Sequence, residues 1–128
     1  MATVADVMSR DILTVARSAT LGEVARQLRS RNVGSALVVD EANAPIGIIT
    51  ERELVDSVAA SRNPDAGIAE SWMQTEPAMI EASASLTDAS SVMRVNNVRH
   101  LPVTEDGRLV GIVSMRDLLA RALEPRQL

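Results

Sequence analysis

Apolar positions along this 128-residue chain change their spacing in a fixed order, and the order occurs twice. Val4 to Met8, VADVM, is a short apolar turn, and Ile12 to Val15, ILTV, a brief extended segment. Thr20 then opens a helix as N-cap, with Glu23 three residues on completing a capping box. Leu21, Val24, Ala25 and Leu28 fall at helical spacing on one face, and Asn32 closes the helix. Ser35 to Val39, SALVV, is a continuous apolar run, the pattern of a strand buried on both faces. After a turn from Asp40 to Pro45, Ile46 to Ile49 predicts the next strand. Thr50 caps a second helix with Leu54, Val55, Val58 and Ala59 expected on its inner face.

The segment SRNPDAG, residues 61 to 67, groups Asn, Pro, Asp and Gly and reads as a linker. Beyond it the series restarts. IAESWM (68–73) answers VADVM, Pro77 to Ile80 is the extended segment, and Ser85 with Asp88 caps a helix bearing Leu86, Ala89 and Met93. RHLPVT (99–104) predicts a strand in which Pro102 removes one hydrogen-bond donor. Asp106-Gly107 is a hairpin turn, Leu109 to Val113 the following strand, and Leu118, Leu119, Ala122 and Leu123 line the last helix. Leu86 follows Leu21 by 65 positions, whereas Gly111 follows Gly47 by 64, so the second copy has lost one turn residue. A shared order of elements with one loop deletion marks a duplication. The reading is repeat 1 over 3–60, a linker over 61–67 and repeat 2 over 68–123. Halves this small make poor independent cores, so they are expected to bury each other sheet to sheet, with pseudo-twofold symmetry and a ligand-sized cleft at the joint.

Composition narrows the chemistry. Hydrophobic residues make up 46% of the chain, enough for a core, yet there is one Trp and no Phe or Tyr. That core must be aliphatic, and stacking on nucleic-acid bases is disfavoured. The net charge of −4 and the lack of a basic stripe also argue against a nucleic-acid surface. With no Cys, thiolate catalysis, disulfides and Cys-ligated metals are excluded. No apolar run approaches bilayer length and the N-terminus lacks the pattern of a signal peptide, so a soluble cytoplasmic protein without membrane contact is expected.

The ends of the two copies, GIITERE (47–53) and GIVSMRD (111–117), share a glycine, apolar residues, a hydroxyl and a carboxylate. Together with VADVM and ESWM, VGSALVVD and VRHLPVTE, they resemble a tandem pair of CBS domains, a Bateman module, over almost the whole chain. The resemblance implies an α/β fold of two β-α-β-β-α repeats. It implies sensing of an adenine nucleotide (AMP, ADP or ATP) or S-adenosylmethionine as ligand rather than as a required cofactor. It further implies assembly into a homodimer and signalling to a separate, unidentified protein partner.

Carried over from the family, the hydroxyl of the final motif holds phosphate and the carboxylate holds ribose. This assigns Thr50 and Glu53 to one site, and Ser114 and Asp117 to the other. A carboxylate accepts both hydrogen bonds of a ribose diol, and a helix N-terminus attracts phosphate. The competing reading is ordinary helix capping, because Thr20/Glu23 and Ser85/Asp88 share the same spacing. Glu53 also departs from the family's usual Asp. Arg99 and His100 precede the apolar-Pro step from which basic residues reach phosphate in nucleotide-binding members. Their counterparts, Gly34 and Ser35, are uncharged, so the second site is expected to bind better. His100 as a hydrogen-bonded interface residue is the alternative. Arg52 and Arg116 flank the motif, either screening phosphate or lying in solvent. Thr14, Val15 and Ile80 are candidates for an adenine slot, with core packing as the alternative. Trp72 is read either as a cover for the cleft or as a dimer contact.

A ligand-free dimeric scaffold is the rival function. An enzyme is disfavoured: the chain has no catalytic Cys, no second His, no phosphate-cradling Gly-rich loop and no metal-ligating cluster.

Overall fold

The computed structural model describes residues 1–60, 63 and 67–124, so most of the expected linker, 61–67, lies outside the described residues. The chain divides into two compact units, and these cut across the repeats of the sequence. A contiguous unit spans Ile12–Pro77, and a split unit joins Met1–Asp11 to Ala78–Leu128.

The contiguous unit holds β1 (Thr14–Ala16), α1 (Leu21–Arg31), β2 (Ser35–Val39), β3 (Pro45–Thr50), α2 (Glu51–Ala59) and the one-turn helix α3 (Ala69–Trp72). Its sheet runs β1-β2-β3, with β1 parallel and β3 antiparallel to β2. The split unit repeats this with a leading turn, α4 (Val4–Val7), followed by β4 (Ile80–Glu81), α5 (Leu86–Asn96), β5 (His100–Glu105), β6 (Arg108–Ser114) and α6 (Met115–Ala122). Its sheet runs β4-β5-β6 with the same directions. Each repeat therefore supplies the β-α-β-β-α series the spacing predicts.

Helix boundaries follow their caps. The Thr20 and Ser85 hydroxyls accept the N–H groups of Glu23 and Asp88. At the other ends, Asn32 and Asn97 take the left-handed conformation (φ 54° each), which Asn tolerates better than most residues. Asp106 and Gly107, both at positive φ, make the tight β5–β6 turn. The longer β2–β3 loop instead uses the Asp40 carboxylate, which accepts the N–H groups of Ala42 and Ala44.

The leading turn of each repeat is seated in the other repeat's unit. Val4 and Ala5 donate N–H groups to the Ala84 and Ala82 carbonyls (2.9 Å each). Ala69 and Glu70 donate to Ala19 and Arg17 (2.8 and 3.0 Å). These bonds satisfy helix-start donors that have no intrahelical partner, and they aim Val4 and Ala69 into the cores, where both are fully buried. Val4 joins a core of Ala89, Met93, Leu101, Val103 and Val113. Ala69 joins Leu21, Val24, Leu28, Val38 and Ile49. Trp72 packs on that second core, beside Gly67 and Leu21.

The same segments then bond to the outer strand of each sheet. Gln74 exchanges two backbone hydrogen bonds with Ile48 (3.0 and 2.8 Å), and Ser9 does so with Ile112 (2.8 and 2.9 Å). Glycine permits this approach. A Cβ at Gly47 would lie 2.6 Å from Met73 Sδ and 2.7 Å from the Gln74 carbonyl oxygen, and one at Gly111 would lie 2.8 Å from Met8 Sδ and 2.7 Å from the Ser9 carbonyl oxygen.

Pro102 sits in the central strand β5, opposite Ile112. Leu37, its counterpart 65 positions earlier, donates its N–H to the Leu13 carbonyl on the β1 side. Proline cannot make that bond. Accordingly β4 begins at Ile80, opposite Val103, and has two residues where β1 has three.

One expectation is corrected. Val55 and Val58 are each 65% exposed and Ala59 is also exposed. The capping box sets the rotation of α2, and the buried positions on its inward face are Glu53 and Ser57, with Leu54 half-buried beside them. The periodicity of apolar residues marked the opposite, outward stripe. On α6, Leu118 is buried, whereas Leu119 and Ala122, and Leu123 just past the helix end, are exposed.

Candidate functional site

In the split unit the hairpin register gathers the predicted residues at one end of the sheet. His100 lies directly across from Ser114, and the preceding carbonyl, Arg99, accepts the N–H of Met115 (2.8 Å). Ser114 ends β6 and caps α6. Its N–H donates to Asp117 Oδ2 (2.8 Å) while its hydroxyl accepts the Asp117 N–H (3.1 Å). Asp117 is half-buried, and among the described residues no donor reaches Oδ1. Arg99 and Arg116 are exposed. His100 is half-buried and has a partner in the fold. The backbone thus sets an imidazole across from a hydroxyl, with a carboxylate of spare acceptor capacity at the start of the same helix and the exposed Arg99 next in sequence.

The contiguous unit builds the same frame with different polar contacts. Ser35 faces Thr50 across β2–β3. Glu53 is only 5% exposed. Its Oε1 accepts both the N–H (2.6 Å) and the hydroxyl (2.8 Å) of Thr50, and its Oε2 accepts the Gln74 side-chain amide (3.0 Å). The capping box is present at both places, so the two carboxylates differ in what else touches them.

Gln74 escaped the sequence reading, although a signal existed. It follows Met73 as Ser9 follows Met8, 65 positions earlier, and the two copies differ there in side-chain reach and donor. Of the adenine-slot candidates, Val15 and Ile80 have their side chains in the two cores, while Thr14 is exposed. The structure therefore brings together Arg99, His100, Ser114 and Asp117, with Arg116 on the adjoining helix turn, and leaves the side chains of Val15 and Ile80 facing inward. Away from this cluster, the Asp6 carboxyl of α4 is held below its usual range, chiefly by the N–H donated from Thr3 (2.8 Å). Among the described residues no group of three or more His, Asp or Glu is placed to hold a metal ion, and no helix is long and apolar enough to cross a membrane.

Comparison with known proteins places this geometry in a family. The CBS domain model matches residues 4–60 and again 68–124. An uncharacterised protein of Methanopyrus kandleri is 38% identical over 118 residues, covering 91% of this chain, which spans 60% of that relative's length. A CBS-domain protein from Burkholderia ambifaria superposes with a TM-score of 0.91 at 28% identity, covering 99% of this chain and 98% of the other. The chain belongs to the CBS-domain family, as a tandem pair. Two further solved relatives carry ligands. One, from Pyrobaculum aerophilum, is complexed with AMP (TM-score 0.81, 28% identity, 91% and 89% coverage). The other is a CBS domain pair in complex with methylthioadenosine and S-adenosyl-L-methionine (TM-score 0.81, 26% identity, 95% of each chain).

Proposed function

We propose that this protein is a non-catalytic regulatory module of the cytoplasm that binds a phosphorylated or sulfonium adenosyl ligand in the split unit and signals to a separate protein. The observation that carries the reading is the Asp117 carboxylate. One oxygen is fixed by the cap of α6, and the other has no donor among the described residues. An oriented carboxylate with an open oxygen suits the two hydroxyls of a ribose. Ser114 and the start of α6 take the phosphate end, with positive charge from Arg99 beside them. His100 orients this end through its place opposite Ser114. Ile80 contributes through its backbone at the adenine end, since its side chain is in the core. The AMP and S-adenosyl-L-methionine complexes of similar pairs support an adenosyl ligand.

Calorimetric titration with AMP and S-adenosylmethionine tests the reading. Saturable binding is expected. Asp117→Ala should weaken it at least about 100-fold, the scale of two lost hydrogen bonds to a charged acceptor. Unchanged affinity in the variant sinks the assignment.

The exposed apolar stripes support a homodimer as the assembled form. Val55 and Val58 on α2, and Leu119 on α6 with Leu123 just past its end, stand in solvent where a second copy would cover them. Sedimentation should give twice the chain mass for the parent and a single chain mass for a variant carrying Val55→Asp and Leu119→Asp. A parent at single-chain mass removes the dimer.

A further inference from the structure

One side chain outside the motif, Gln74, touches the carboxylate of the first copy, and its counterpart Ser9 has no such contact among the described residues. We infer that Gln74 silences the contiguous unit's copy of the site, so that each chain takes one adenosyl ligand rather than two. The inference rests on the reading above that the motif carboxylate is the ribose acceptor.

An ionised carboxylate offers about four lone-pair positions. In Glu53 three of them are filled: Thr50 supplies two donors to Oε1 and Gln74 supplies the donor to Oε2. A ribose diol brings two donors, so it cannot be seated without expelling one that is already there. In Asp117 the Ser114 N–H fills one position, and among the described residues no donor reaches Oδ1. Burial sharpens the contrast, since Glu53 is 5% exposed and Asp117 half-buried.

Gln74 is also held in place before any ligand arrives. Both its backbone groups are bonded to Ile48, and Met73 beside it is wedged over Gly47. The side-chain amide therefore reaches Glu53 from a fixed base, 21 residues along the chain, at little entropic cost. Ser9, which occupies the same place in the split unit, has a hydroxyl too short to do this. Its Oγ lies 3.5 Å from the Asp11 carbonyl oxygen, away from the carboxylate. The extra methylene of Glu53 relative to Asp117 completes the fit, because it carries the carboxylate into the interior where the amide waits. Gln74 is thus an occupancy-determining residue, and its replacement by serine makes the contiguous unit resemble the split one.

The test is AMP titration of four 128-residue chains: the parent, Gln74→Ser, Asp117→Ala, and the double variant. The strand pairing at position 74 uses only backbone, so the fold is expected to survive. A ¹H–¹⁵N spectrum recorded before titration checks this, and Gln74→Ala carries the same expectation as a second replacement. The expected result is one site per chain in the parent, two in Gln74→Ser, none in Asp117→Ala and one in the double variant. Two sites in the parent overturn the inference. So does a single site in Gln74→Ser that disappears with Asp117→Ala, an outcome that leaves the split-unit reading intact. A parent that binds nothing, with a Gln74→Ser chain that binds one AMP independently of Asp117, upholds the silencing and removes the split-unit site. No binding in any of the four chains removes both.

Discussion

The contiguous and split units share a backbone and diverge in polar side chains. In both, an exchanged turn docks through the same pair of N–H donors, buries one small aliphatic residue, and pairs with the outer strand over a glycine. The contiguous unit then adds side-chain clamps. Arg17 Nε lies 2.9 Å from Glu70 Oε2, a charge contact without hydrogen-bond alignment, and Nη1 lies 3.6 Å from Glu41. Gln74 ties Glu53 to the exchanged segment. At the places of Arg17 and Glu70 the split unit has Ala82 and Ala5, and at the place of Gln74 it has Ser9. The exposed ion pairs contribute no more than about 1 kcal/mol each, whereas removing the buried carboxylate would strand its three donors, a larger cost. The difference teaches that a duplicated scaffold held by main-chain bonds leaves its side chains free to specialise. One copy closes its carboxylate, and the other keeps an acceptor open.

The sharpest way to break this comparison is to attack what the units share. Gly111→Ala and Gly47→Ala each drive a methyl group into a backbone carbonyl and a methionine sulfur. Each should lower stability by ~3 kcal/mol, as overpacking does, with similar losses in urea unfolding. A loss confined to one of the two would show that the exchanged segments are not equivalent anchors.

The next effect separates the units. Glu53→Ala abandons the Gln74 amide and the Thr50 N–H near the interior, and should cost ~2 kcal/mol in the same measurement. Asp117→Ala removes only a cap interaction and should cost about 1 kcal/mol. The order reverses for ligand, where Asp117 matters and Glu53 does not. Equal stability losses would mean that Asp117 is as enclosed as Glu53.

Much of the fold was legible because it is written in local signals. Thr20, Ser85, Thr50 and Ser114 mark helix starts, Asn32 marks an end, Asp106-Gly107 marks a hairpin, and the offset change from 65 to 64 marks the shorter loop. The face of α2 was misread because Val55 and Val58 satisfy helical periodicity on a stripe that lies outside the unit. Apolar spacing reports that a stripe exists and says nothing of what covers it. The exchange of leading turns was not legible either. VADVM and ESWM look like ordinary beginnings of their own repeats, and which core receives Val4 or Ala69 depends on contacts across the length of the chain. The candidate site was half legible. Ser114, Asp117, Arg99 and His100 were singled out through the family resemblance, since capping spacing alone does not separate them from Ser85 and Asp88, whereas the Gln74–Glu53 contact joins residues 21 apart and left no local signal.

The exchange of turns also sets an order on the birth of the molecule. Residues 12–77 make up the whole contiguous unit, so its closure calls on no chain beyond Pro77. The split unit must keep its first eleven residues waiting while that whole stretch is synthesised, then bring them back to a partner beginning at Ala78. Closing a loop of that length costs on the order of 4 kcal/mol in chain entropy, a cost that falls sharply once the intervening residues are already compact. The contiguous unit therefore closes from neighbouring chain, whereas the unit that carries Asp117 closes only when distant chain returns.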